Sequence, residues 1–80
     1  SPFGPALTYS VAELAEGLMT ANHHKLAFKL LQNAIKDEII SKSIFGLYTE
    51  CRKRINVSDI EIGIIDEKAG ALSKSMAQCN

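Results

Sequence analysis

Apolar positions in the first half of the chain recur at helical intervals. Val11, Leu14, Ala15, Leu18 and Met19 fall at i, i+3, i+4, i+7 and i+8, which is one face of a helix. Leu26, Ala27, Leu30, Leu31, Ala34 and Ile35 make a second such face. Only a few polar residues separate the two, so residues 11–40 read as a helical hairpin. A third face follows in Ile44, Leu47, Tyr48, Cys51 and Ile55. Between the second and third faces stand Ser41, Lys42 and Ser43, and either serine suits a helix N-cap.

The polar positions mark the expected ends. Ser10 and Glu13 have the spacing of a capping box and predict the start of the first helix. Asn22 is expected to cap the second helix, with His23 and His24 in its first turn and its end near Glu38 or Ile40. Asn56 is expected to terminate the third helix. Gly17 inside the first helix predicts a close helix crossing. Pro2, Gly4 and Pro5 make residues 1–9 an extended arm or linker.

The pattern is two-sided after residue 57. Ser58 and Glu61 form another capping box, and Ile60, Ile64, Ile65, Ala69, Leu72 and Met76 make a helical stripe. Against this, Ile60, Ile62 and Ile64 alternate with Glu61 and Gly63, which is a strand pattern. A lone strand needs a second one to pair with, and none is visible. The expectation is therefore an all-α fold, a small bundle of three to four helices beginning with a helical hairpin. The alternative is an α+β fold with a strand near residues 57–65. Residues 10–77 form the single helical domain and residues 78–80 a frayed tail. The expected core is Val11, Leu14, Leu18, Leu26, Leu30, Leu31, Ile35, Ile44 and Leu47.

Composition agrees with a folded domain: 46% of residues are hydrophobic and 22% charged. No apolar run reaches the roughly 18 residues of a membrane span. A chain beginning at Ser1 reads as a processed form or an excised fragment. Nine basic and nine acidic side chains cancel, which disfavours dominantly electrostatic binding to nucleic acid or an acidic membrane. The charges are nonetheless segregated. Residues 1–22 carry only Glu13 and Glu16, residues 23–56 carry seven basic and three acidic groups, and residues 57–80 carry two basic and four acidic. Cys51 and Cys79 are too few for a disulfide scaffold. They read as free thiols of a reducing, intracellular compartment, with a bridge between them as the alternative.

Candidate chemistry is sparse. Adjacent His23 and His24 point about 100° apart on a helix and do not chelate one metal readily. The neighbours Asp37 and Glu38, and Asp66 and Glu67, read as solvated faces rather than an acid–base pair in a cleft. No glycine-rich phosphate loop or nucleophile elbow is present. The chain is read as non-enzymatic, with no cofactor and no metal. What remains is a surplus of apolar residues beyond the helical stripes. It predicts a protein–protein interaction or oligomerisation module, with Phe28, Ile39, Ile40, Phe45, Ile62 and Ile65 facing another protein or a second copy. The first alternative is nucleic-acid binding through a basic patch of Lys42, Arg52, Lys53 and Arg54. The second is a carrier of a small apolar ligand, which needs an enclosed apolar pocket.

Leu14, Ala15, Leu18, the turn at Asn22, Ala27, Leu31 and Ala34 resemble one tetratricopeptide-type unit. The likeness covers about 30 residues; no second copy follows about 34 residues on, and the family's aromatic and proline positions are unmatched. Residues 11–55 also look faintly similar to the helical C-terminal domain shared by a COPII outer-coat subunit and the steroid receptor RNA activator protein, without that family's tryptophan.

Overall fold

Pro5 lacks a backbone N–H and has a helical φ, so it suits the first position of a helix. There α1 begins, and it runs Pro5–Thr20. The computed structural model describes residues 5–56 and 59–78. Within them lie three further helices, α2 (His24–Lys36), α3 (Lys42–Arg54) and α4 (Ile60–Gln78). The all-α expectation holds, and residues 60–65 of the alternative strand are helical. The extended arm expected over residues 1–9 is replaced by helix from Pro5 onward, and Ser10 is internal to α1 rather than its cap. The frayed tail at residues 78–80 keeps Gln78 in α4, and Cys79 and Asn80 lie outside the described residues.

The helix ends show why the expected boundaries shift. Asn22 does not cap α2. It closes α1 in the left-handed region, at φ 69°. His23 N–H donates to Leu18 O at 2.7 Å and Asn22 N–H to Met19 O at 3.0 Å, which is a Schellman closure. Helix α2 ends in the same way. Glu38 has φ 60°, with Ile39 N–H donating to Ala34 O and Glu38 N–H to Ile35 O. This stops the helix before Ile40 and turns Ile39 inward. Ser41 caps α3 as expected, its hydroxyl oxygen accepting from Ile44 N–H at 3.1 Å. At α4 the observed cap is Asp59, whose Oδ1 accepts from Ile62 N–H at 2.9 Å. Ser58 lies outside the described residues. Helix α4 runs unbroken through Gly63 and Gly70.

Helix α2 is the centre of the packing. It touches α1, α3 and α4, whereas α1 and α4 do not meet among the described residues. Its buried residues are Ala27, Phe28, Leu31, Ala34 and Ile35. Ala15, Ala27 and Ala69 are almost wholly buried, as are Leu31, Ile44, Tyr48, Cys51 and Ile65. Alanines take part in the buried side of α1, α2 and α4, whereas that of α3 is Ile44, Tyr48 and Cys51. Leu31 is buried with the alanines, and the other leucines of α1 and α2 fall at the edges. Leu14 is 56% exposed and Leu26 58% exposed, so both leave the expected core. Val11, Leu18, Leu30 and Leu47 pack partly buried against it. The Gly17 crossing does not occur, because a Cβ there would meet nothing within 4 Å.

Candidate partner-binding groove

The face of α2 opposite Ala27 and Leu31 carries Lys25, Lys29, Gln32 and Lys36, at i, i+4, i+7 and i+11. The end of α3, the chain after it and the first turn of α4 lie alongside this face. Between them is an open groove of about 660 Å³, within the range of sites that hold ligands. Phe28, Ile55 and Ile62 supply its apolar lining. Phe28 is buried and stacks on Tyr48, ring centroids 5.5 Å apart. Ile55 and Ile62 are half-buried.

The cations of the rim are Lys25, Lys29, Lys36 and Arg54, and its acids are Asp59 and Glu61. Both acids are engaged. Glu61 pairs with Lys36 at 2.9 Å, and Asp59 caps α4. Lys25, Lys29 and Arg54 form no ion pair among the described residues. The groove therefore presents three uncommitted positive charges around an apolar floor.

The groove wall is held by contacts between α3 and α4. Tyr48 Oη donates to Asp66 Oδ1. Arg52 Nε donates to Asp66 Oδ2 at 3.0 Å, and Arg52 Nη1 donates to Ile55 O at 2.8 Å. Burial pushes the Tyr48 phenol pKa well up, the hydrogen bond to Asp66 and the negative charge of Asp66 add to this, and the nearby Arg52 opposes it. From α4, Lys68 Nζ reaches back to Lys36 O at 2.8 Å and satisfies a carbonyl at the end of α2. The Cys51 thiol is buried and free, its pKa raised first by burial and then by Glu50, with Arg54 opposing. Cys79 lies outside the described residues.

The expected partner-facing residues disperse. Phe28 and Ile62 meet in the groove. Ile39 and Ile65 are buried in the core, and Ile40 and Phe45 pack against it. Four of the six therefore lie away from the groove. Large apolar side chains that stay exposed are Leu7, Tyr9, Leu14, Leu26, Ile60 and Ile64. The expected basic patch also divides. Lys42 opens α3 and Arg54 ends it, about 18 Å away along a 13-residue helix. Arg52 is taken up by Asp66, and only Arg54 reaches the groove. The lysines of α2 were legible as a stripe, but nothing in their spacing shows that the α3–α4 connection returns beside them.

Another depression, of about 460 Å³, lies between α1 and α3. Its chemistry is the opposite. Tyr9, Glu13 and Glu16 line it from α1, and Leu47 and Glu50 from α3.

Among the described residues, no three His, Cys, Asp or Glu side chains gather as a metal site, and no helix is long and apolar enough to cross a membrane. The class defined by these features is a small all-α domain of four helices with a cation-rimmed groove. No family model, curated protein or solved structure matches the chain.

Proposed function

We propose that this domain is a protein–protein interaction module and that its partner seats in the groove beside α2. The observation that carries this reading is the apolar floor of Phe28, Ile55 and Ile62 beneath the uncommitted Lys25, Lys29 and Arg54. Protein interfaces combine an apolar centre with a polar rim, and charges at the rim steer the approach and set the orientation. The basic-turn alternative has less support. Arg52 is already bonded to Asp66, and Lys42 stands at the other end of α3 from Arg54. The carrier alternative calls for an enclosed apolar pocket, whereas this groove is open and rimmed by charge.

A photo-crosslinking residue in place of Gln32, inside the groove, tests the reading against the same residue in place of Lys74, on the exposed part of α4. Crosslinking in source cells followed by mass spectrometry should give protein adducts from the Gln32 position alone. Those adducts should disappear when Lys25→Glu and Arg54→Glu are added. Equal adducts from both positions would remove the groove as the site.

A further inference from the structure

We infer that the groove's partner is a second copy of this chain, seated through the outer row of its α1; this rests on reading the groove as a protein-binding site. Two surfaces of one molecule carry the inference. The groove offers Lys25, Lys29 and Arg54 around an apolar floor. The outer row of α1 offers Tyr9, Glu13 and Glu16 at i, i+4 and i+7, with Glu50 of α3 beside it. Charge is complementary, and on each helix the charges stand about one turn apart, Glu13 and Glu16 at i, i+3 on α1 and Lys25 and Lys29 at i, i+4 on α2. Tyr9 is 66% exposed and projects from that row. An aromatic ring with a polar tip is a suitable anchor for an apolar floor ringed by polar groups.

The two surfaces share no residue, so both can be occupied at once. A contact between different surfaces of identical chains closes as a two-fold pair where both surfaces of one copy meet both of its partner's, and otherwise builds a ring or a filament. Segregated charge on a neutral chain acts in the same direction. With nine positive and nine negative groups there is no net repulsion between copies. Affinity needs both the ion pairs and the burial of Tyr9, and because the pairs are exposed the contact is sensitive to salt.

Sedimentation velocity on the full chain, over a concentration series at low salt, tests this. The average sedimentation coefficient should climb with concentration and fall back to the monomer value near 1 M salt, where screening acts within about 3 Å. Tyr9→Ala should weaken association at least tenfold. The pair Lys25→Glu, Lys29→Glu should abolish it, and so should the pair Glu13→Lys, Glu16→Lys. An equimolar mixture of these two charge-reversed proteins should associate again, since each surface then meets its complement. Circular dichroism checks that each variant folds, and the Gln-substituted pairs replace any that does not. A wild-type chain that stays monomeric throughout would overturn the inference. So would a mixture that does not reassociate, or an association that neither reversal disturbs. Groove-dependent adducts to a different protein, found with a monomeric chain, would leave the interaction-module reading standing and remove only the second copy.

Discussion

Individual residues in this domain are decided by backbone geometry as often as by side-chain type. Glu38 occupies the left-handed region at φ 60°, a conformation that costs a non-glycine residue about 1–2 kcal/mol. The turn compensates by bonding two carbonyls of α2 and by burying Ile39 against the core. Asn22 does the same for α1, and asparagine tolerates that region better than most residues. As a sequence signal Asn22 is ambiguous, because asparagine serves both at N-caps and in left-handed closures. Tyr48 and Cys51 have titration consequences, and that of Tyr48 has the larger cause in its environment, burial together with Asp66. The Tyr48 phenol titrates near pH 10 when unfolded and well above that in the native state. Above about pH 10 the unfolded chain releases a proton that the native chain keeps. Stability from this group is therefore complete below pH 10 and declines as pH rises, with a slope approaching 1.4 kcal/mol per pH unit, roughly. Urea midpoints between pH 8 and pH 11 should show the decline, with the buried Cys51 thiol adding its own part from about pH 8.5 upward, and Tyr48→Phe should reduce the slope above pH 10.

Elements were legible where a cap and a stripe agreed. Helix α3 is the clear example, with Ser41 at its cap and Ile44, Tyr48 and Cys51 on its buried side. The start of α1 was not legible. Ser10 and Glu13 have capping-box spacing, yet Pro5 already opens a helix that continues through Ser10. Helix α4 carried two periodicities at once, and the helical one holds because Ile65 and Ala69, four residues apart, pack into the core. That leaves Ile60 and Ile64 on its exposed side. The docking of α4 depends on Asp66, which serves both Tyr48 and Arg52. Asp66→Ala strands the buried Tyr48 hydroxyl and should cost about 1–3 kcal/mol. Hydrogen exchange is the measurement to make, because amides of α4 should lose more protection than those of α1, which α4 does not touch. Uniform loss across all four helices would contradict a local role for Asp66.

At the scale of the whole molecule, everything leans on α2. A domain of this size has a stability of about 4–12 kcal/mol at 0.05–0.15 kcal/mol per residue. Leu31 is fully buried on the central helix. Leu31→Ala should cost about 2–5 kcal/mol and lower the thermal midpoint of all four helices together. A midpoint unchanged within a degree or two would mean that the core does not sit where α2 places it. The same centrality shapes the surface. One side of α2 is consumed by packing, and its opposite side, with Lys25, Lys29 and Lys36, becomes the wall of the groove. The exposed Tyr9, Glu13 and Glu16 of α1 line a separate depression, shared with α3.

The sequence alone determined that the chain is helical, roughly where its helices run, and that the middle is basic between acidic ends. Those follow from periodicity and composition, which are local properties. Tertiary structure decided which edge of each stripe is buried. Ala15 and Ala27 were buried, and Leu14 and Leu26 beside them were left at the margins. It also decided which charges are free, pairing Arg52 with Asp66 and leaving Lys25, Lys29 and Arg54 around Phe28. Both are matters of which distant segments meet, and no local pattern in the chain encodes that directly.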